Sequence, residues 1–168
     1  IDENKGCAEM FDYFRRYAAQ VSRSMELVLI GSAMMPVPTH PRIRHLGFVT
    51  DEEKYDTMAA ADLLLMPSYF ESLSMVTIEA WAMRLPVLVN GHCDVLRGQT
   101  IRANAGLYYE SYGEFAEALY ALESNRVLRR TLAENGRMYY ERHYTWDVID
   151  RKYLTMLERL RDADQNGY

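Results

Sequence analysis

With 168 residues, this chain is long enough to form one domain whose buried core needs neither disulfides nor a structural metal. Hydrophobic residues make up 49% of it and charged residues 26%, which is typical of a soluble globular domain. Its net charge of −5 argues against nucleic acid as a partner, because nucleic-acid-binding domains usually present a basic surface.

Cysteine usage and hydropathy narrow the class of protein further. Cys7 and Cys93 form no CxxC pair and no zinc-like cluster, so free thiols in a reducing compartment are expected. No apolar run approaches the ~18 residues that span a bilayer. Residues 1–20 lack the pattern of a signal peptide. The sequence therefore predicts a cytoplasmic protein.

The first part of the chain predicts alternating helices and strands. After an initial loop, apolar residues at spacings of three and four indicate a helix with one buried face. The apolar runs ELVLIG, IRHLGF and DLLLMP are typical of short buried strands. In chain order, the predicted helix, two strands, helix and strand cover residues 9–24, 26–31, 43–48, 51–61 and 62–67. Thr50 or Asp51 can cap the second helix.

The second part predicts a helix, a strand, a polar loop in which a short helix is an alternative, a minimal strand and three successive helices. These segments cover residues 74–84, 86–90, 91–105, 107–109, 112–123, 126–143 and 146–161. Residues 162–168 are expected to be a frayed end. Because strands alternate with helices, the pattern predicts an α/β fold: a doubly wound parallel sheet with helices on both faces and a helical C-terminal tail.

The candidate site lies in the loops that follow the strands, since ligands bind at the carboxyl ends of parallel strands. The most informative segment is MPSYFESLSMVTIEAWAMRLPVLVN, where a strand stops at a proline and a helix opens near Ser74. The backbone amides of Ser74, Met75 and Val76 lie in the first turn, lack intrahelical partners and carry the positive end of the helix dipole. Such a helix start suits an anion such as a diphosphate.

Glu71 and Glu79 bracket this helix start in an E-x7-E pattern. Each carboxylate could accept a pair of sugar or ribose hydroxyls. The pattern alone is weak, and the alternative is that Glu71 or Ser72 caps the helix while Glu79 is solvated. However, Glu79 lies between Ile78 and Ala80 in a largely apolar helix, and a carboxylate in that setting needs a partner or a ligand.

Together these segments resemble the C-terminal, donor-binding domain of family 4 retaining glycosyltransferases (glycosyl transferases group 1), which have the GT-B fold. The resemblance covers nearly the whole chain, in the order Lys5-Gly6, LVLIG, LGFV, AAADLLLMPSYFESLSMVTIEAWAMRLPVLV and AGLYY. It implies a Rossmann-like nucleotide-sugar-binding domain over residues 1–144, whose first strand is expected upstream. Residues 145–168 would form a helix that packs across to an N-terminal acceptor domain.

The resemblance also implies roles for single residues. Lys5 matches a family lysine that contacts the donor diphosphate, and the usual arginine beside it would lie just upstream. Glu71 would hold the transferred sugar by its hydroxyls, so Lys5 and Glu71 are the candidate catalytic residues. Glu79 would bind the ribose hydroxyls. Phe48 and Val49 would line the nucleobase pocket.

In the same resemblance, the backbone amides of Ser74, Met75 and Val76 contact the sugar or the phosphate. Two positions depart from the family pattern. A Phe-Gly-Leu-like segment reads Leu-Ser-Met around Ser74, so close backbone approach is less free than with glycine. Arg84 stands where the family commonly has glycine, which bears on how tightly that helix ends.

The partners implied are a UDP-, GDP- or ADP-sugar and an N-terminal acceptor domain, which could also bring the protein to a membrane surface. The acceptor would be a saccharide or a lipid. A helix N-terminus and basic side chains would stabilise the leaving diphosphate in place of a metal. Because the sequence also offers no DxD motif in a suitable loop, neither a metal nor a cofactor is expected.

Two rival functions stay open at this point. A nucleotide-sugar epimerase shares the fold but depends on further acidic and basic residues that cannot be placed here. A non-catalytic module could keep the pocket for binding alone. Among other polar residues, His45 and His92 could act as bases but are more typical of structural positions, and Asp94 and Arg97 could touch the donor or order their loop.

Overall fold

The computed structural model describes residues 1–22 and 24–165 and is built of short parallel strands and longer helices. The strands in these ranges are β1 Leu27–Leu29, β2 Ile43–His45, β3 Leu64–Met66, β4 Val87–Asn90 and β5 Gly106–Tyr109. The helices in the same ranges are α1 Cys7–Gln20, α2 Asp51–Ala60, α3 Met75–Ala82, α4 Asp94–Ala103, α5 Tyr112–Ser124, α6 Arg126–His143 and α7 Trp146–Gln165. One 3-10 turn, Glu3–Lys5, precedes them.

The strands form two parallel ladders. β1 pairs with β2, and β3 pairs with β4, which pairs in turn with β5. Across the second ladder Leu64, Val87 and Gly106 are in register. A Cβ atom at Gly106 would lie 2.2 Å from the carbonyl oxygen of Val87, so only glycine fits at the start of β5. The predicted parallel α/β architecture is confirmed.

Helices cover both faces of the second ladder. On one face Leu88 of β4 packs with Tyr17 of α1 and Phe115 of α5. On the other face Val87 and Val89 of β4 pack with Trp81 of α3. All four residues of β4 are buried, as expected for a central parallel strand. The doubly wound arrangement predicted from the alternation of elements is therefore present.

Helix α3, which carries the candidate site, is anchored by a tryptophan against a glycine. Trp81 is fully buried. A Cβ atom at Gly136 of α6 would lie 2.5 Å from the indole ring, so the absence of a side chain lets α6 approach α3 closely. This contact fixes the C-terminal part of α3 against α6, and because α3 follows β3, its N-terminal end lies on the side of the carboxyl ends of the strands.

The structure decides one open alternative and corrects one prediction. Over 91–105, where the sequence allowed a polar loop or a short helix, the chain forms the ten-residue helix α4, whose last turn ends at Asn104 in the left-handed conformation. Residues 162–165, predicted as part of a frayed end, belong to α7, and residues 166–168 lie outside the described residues. Several apolar side chains of α7, among them Tyr153 and Leu160, are exposed. No helix in the described ranges is long and apolar enough to cross a membrane.

Capping decides the ends of two helices near the candidate site. Thr50 and Glu53 form a reciprocal capping box at the start of α2, and these hydrogen bonds lower the pKa of Glu53. At the end of α3, the amide of Arg84 donates to the carbonyl of Trp81 and that of Leu85 to the carbonyl of Ala80. This is a Schellman motif, in which the residue after the cap adopts the left-handed conformation that favours glycine.

Arg84 occupies that left-handed position with φ of 57°. We expect Arg84→Gly to raise the free energy of unfolding by about 0.5–1 kcal/mol, because relief of the Cβ clash outweighs the extra backbone entropy of glycine. The ion pair of Arg84 with Glu134 joins two half-exposed side chains at 3.4 Å and contributes little. Urea denaturation measures the change. Arg84→Ala loses the same ion pair and keeps the clash, so equal stability of the two variants would contradict this explanation.

Candidate functional site

Lys5 and Glu71 meet beside the start of α3. Lys5 Nζ lies 2.9 Å from Glu71 Oε1, although the two residues are 66 positions apart in the chain. The lysine side chain is half exposed, whereas the glutamate is largely enclosed. The two residues predicted as catalytic are thus in contact, with the ammonium group open to solvent on its outer side.

The backbone around Gly6 makes this contact possible. Gly6 has φ of 69° and closes the 3-10 turn that contains Lys5. A Cβ atom at Gly6 would lie 2.2 Å from the carbonyl oxygen of Pro67, at the end of β3. The chain therefore touches the carboxyl end of β3 at a point where no side chain fits, and this brings Lys5 over the loop that carries Glu71.

The first turn of α3 has no side-chain cap among the described residues. Ser74 is the N-cap residue, but its buried hydroxyl accepts a hydrogen bond from Thr77 Oγ1 at 2.9 Å instead of capping the helix. Among the described residues neither Glu71 nor Ser72 makes a capping hydrogen bond to this turn, and Glu71 pairs with Lys5 instead, so the alternative in which one of them caps the helix is not observed. The backbone amides of this turn can donate hydrogen bonds to an anionic ligand.

Two buried or partly buried side chains hold the loop after β3. Asn90, at the end of β4, donates from Nδ2 to the carbonyl of Pro67 at 3.0 Å, and its Oδ1 accepts from the amide of His92. The hydroxyl of Tyr69 donates to Glu9 at 2.8 Å, and its ring stacks on His92. Burial, together with the hydrogen bond to Glu9, raises the pKa of Tyr69. These contacts within the chain hold the loop after β3 in place.

A cavity of about 500 Å³ opens between this loop and the start of α4. Its lining combines the charged pair with aromatic and polar groups: Lys5, Tyr69, Phe70, Glu71, Ser72, His92, Cys93, Asp94 and Val95. Both cysteines of the chain are free thiols, as predicted. The size and mixed polarity of this space suit a small polar molecule such as a sugar.

Glu79 faces α2, where Lys54 is its partner. Lys54 Nζ lies 3.3 Å from Glu79 Oε1 and 3.4 Å from Asp51 Oδ1. Both side chains of the Lys54–Glu79 pair are about three-quarters enclosed. The need of Glu79 for a partner follows from the sequence, but the identity of that partner does not.

The segment predicted to line a nucleobase pocket follows β2. Phe48 is exposed and Val49 is half-buried. The amide of Gly31 donates to the carbonyl of Gly47 at 2.7 Å, and His45 Nε2 donates to the carbonyl of Gly31 at 2.7 Å. These bonds tie the loops after β1 and β2 together, so His45 has the structural role.

The polar residues that follow β4 contact other parts of this chain. Arg97 pairs with Glu110 at 2.8 Å, and His92 Nε2 donates to the carbonyl of Glu110 at 3.0 Å. Asp94 is the first residue of α4, where a carboxylate complements the helix dipole. In the described ranges no group of three or more acidic, histidine or cysteine side chains could hold a metal ion. Whether donor binding is independent of metal stays a prediction.

Sequence comparison relates this chain to a known family. The protein-family model described as Glycosyl transferases group 1 matches residues 1–125. The D-inositol 3-phosphate glycosyltransferase of Nocardioides sp. (strain ATCC BAA-499 / JS614) is 32% identical over 128 residues, which cover 73% of this chain and 27% of that protein. The chain spans 27% to 45% of the length of the curated relatives that it matches.

Solved structures share the fold. HepE of Anabaena in complex with UDP-glucose has a TM-score of 0.78 at 19% identity, with 95% of this chain and 46% of that chain covered. The C-terminal domain of LpcC, a glycosyl transferase group 1 family protein of Francisella tularensis, has a TM-score of 0.71 at 20% identity, with 87% and 83% covered. The fold is therefore that of a GT-B glycosyltransferase domain.

Proposed function

The chain belongs to the glycosyl transferases group 1 family, and from this membership we propose that it is the donor-binding half of a family 4 retaining glycosyltransferase. The full enzyme would move a sugar from a nucleotide diphosphate-sugar to a saccharide or lipid acceptor. A nucleotide donor is supported by the likeness to HepE, which was solved with UDP and with UDP-glucose.

The observation that carries this proposal is the contact of Lys5 with Glu71 beside the uncapped start of α3. The ammonium group and the amides of Ser74, Met75 and Val76 offer positive charge and donors to a diphosphate. The carboxylate beside them offers acceptors to sugar hydroxyls. A nucleotide sugar joins an anion to a polyol. The Lys5–Glu71 pair and the α3 amides, which begin three residues after Glu71, offer donors to the anion and acceptors to the polyol.

The roles in the proposed reaction follow from these groups. As the bond from the sugar to the diphosphate breaks, negative charge grows on the leaving oxygen, and Lys5 and the α3 amides stabilise it. Glu71 orients the sugar ring through its hydroxyls. Glu79 accepts the ribose hydroxyls, and the loop of Phe48 and Val49 lines the nucleobase. We propose that this stabilisation works without a metal.

We further propose that an N-terminal acceptor domain completes the enzyme. The exposed apolar side chains of α7, such as Tyr153, Leu157 and Leu160, would pack against it. We also propose that a strand upstream in the protein completes the sheet; in the described part of the chain β1, β2, β3 and β5 each lack a hydrogen-bonded strand on one side. Without the second domain the acceptor is not held, so the 168-residue chain by itself should turn over negligibly.

Calorimetric titration of the chain with UDP, GDP and ADP, and with common sugar conjugates of each, tests the proposal. We expect one base to bind, with the same affinity in EDTA and in Mg²⁺. A folded chain that binds none of them would overturn the donor site, and binding only with Mg²⁺ would overturn the metal-free part. Sugar transfer at a normal rate by this chain alone would overturn its assignment as half of an enzyme.

A further inference from the structure

Lys54 is the ion-pair partner of Glu79, and the function above assigns it no role. It lies on α2, 25 positions before Glu79 in the chain. Its Nζ is shared between Glu79 Oε1 and Asp51 Oδ1 and lies 4.4 Å from the centre of the Tyr55 ring. The ammonium group is thus surrounded by partners that fix its position.

Only one oxygen of Glu79 is engaged by this contact. Lys54 bonds to Oε1, and among the described residues no hydrogen bond reaches Oε2. Glu79 follows the buried Ile78 and precedes the buried Ala80 on α3, and its own side chain is about three-quarters enclosed. A carboxylate held by one oxygen presents the other in a defined direction, which is the arrangement needed to accept hydroxyl groups.

The lysine stays charged in this setting. Partial burial by itself lowers the pKa of Lys54, but the hydrogen bond and the charge of Glu79 outweigh it, so the pKa is raised. Lys54 is therefore positively charged throughout the neutral pH range. A carboxylate with a permanent cationic partner accepts a neutral hydroxyl without being left as an isolated buried charge when solvent is displaced.

We propose that Lys54 is a positioning residue for the ribose of the donor: it holds Glu79 by Oε1 and so aims Oε2 at the ribose hydroxyls. This rests on the proposed function, because it assumes that a nucleotide occupies the site. Lys54 does not touch the reacting atoms. Its effect reaches the ligand through Glu79, and it follows that the effect requires the ribose hydroxyls to be present.

That requirement gives an experiment that a merely structural role would not satisfy. UDP, GDP and ADP and the 2′,3′-dideoxy form of each are titrated into wild type, Lys54→Met and Lys54→Arg. For the base that binds, we expect Lys54→Met to weaken the ribonucleotide by roughly three- to tenfold, as for the loss of one modest polar contact. The dideoxy form should change by less than about twofold. Lys54→Arg keeps the charge and should restore part of the discrimination.

The controls separate this inference from the proposed function. Lys152→Met removes one positive charge from α7, where Lys152 Nζ donates to the carbonyl of His143, and should leave both affinities unchanged. Thermal melts confirm that each variant is folded. If Lys54→Met weakens both forms equally, or neither, the positioning role is overturned while the donor site stands. If folded wild type binds no ribonucleotide, the proposed function falls and this inference falls with it.

Discussion

Replacing Gly6 with alanine should lower the free energy of unfolding by roughly 2–5 kcal/mol, the sum of left-handed strain and of overpacking. Gly6 has φ of 69°, and its missing Cβ would lie 2.2 Å from the oxygen and 3.0 Å from the carbon of the Pro67 carbonyl. Backbone at the end of β3 cannot move aside as the tip of a flexible side chain can. Chemical denaturation measures the loss directly.

The same substitution should also disrupt the candidate site. If the turn of Gly6 shifts away from Pro67, Lys5 moves with it and its 2.9 Å contact with Glu71 is lost. We therefore expect weaker binding of the nucleoside diphosphate in conditions where Gly6→Ala is still folded. Lys5→Met, which removes the ammonium group without moving the turn, gives the size of the binding effect to compare.

Gly47→Ala is the matched control for stability. Gly47 has φ of 74°, close to that of Gly6, but apart from its two chain neighbours no atom of the described residues lies within 4 Å of where its Cβ would be. Gly47→Ala should lower the free energy of unfolding only by the left-handed strain that alanine acquires, about 1–2 kcal/mol. The difference between the two variants isolates the close approach to Pro67. Equal losses would show that this approach contributes nothing.

Glu79→Gln should weaken binding of the ribonucleotide by roughly 10- to 100-fold, because hydrogen bonds to a charged group contribute about 1.5–3 kcal/mol. The amide keeps the size of the side chain but loses the charge and one acceptor. It also leaves Lys54 without its ion pair, so Glu79→Gln should be somewhat less stable than wild type. Calorimetric titration with the nucleoside diphosphate that binds wild type measures the effect.

Glu134→Gln is the control for this change. Glu134 is also a helical glutamate with one basic partner, Arg84 at 3.4 Å, and it lies on α6. Its loss should leave nucleotide affinity within about twofold, as for a surface ion pair of little energy. If Glu79→Gln binds as well as Glu134→Gln does, Glu79 is a structural partner of Lys54 and the ribose is held elsewhere.

Sequence patterns were sufficient for the alternation of helices and strands and for the chemistry offered around Glu71 and Glu79. Apolar runs ending in glycine or proline predicted the strands, and spacings of three and four predicted the helices. The sequence offered Thr50 or Asp51 as the cap of α2, and Thr50 forms it. These signals are readable because they depend on hydrogen bonds and side-chain spacing within one or two turns of the chain.

Some local features were left undecided for equally physical reasons. The sequence left α4 open between a polar loop and a short helix, because most of its residues are polar or glycine and its start lacks a side-chain cap. Burial of Leu96 and Thr100 against the sheet gives that helix its stability, and a single sequence does not show burial. The left-handed Arg84 was marked only as a departure from a family glycine, and the hydrogen bonds of α3 then showed what the position requires.

By itself the sequence determined the order of helices and strands, and it predicted which groups would bind a nucleotide sugar and roughly where along the fold they would lie. Only the tertiary structure decided that Lys5 meets Glu71 and that Lys54 meets Glu79. Those pairs join residues far apart in the chain, and their distances are set by how Gly6 packs on β3 and how α2 lies beside α3. A contact of this kind depends on the packing of whole elements, which no local periodicity or capping signal encodes.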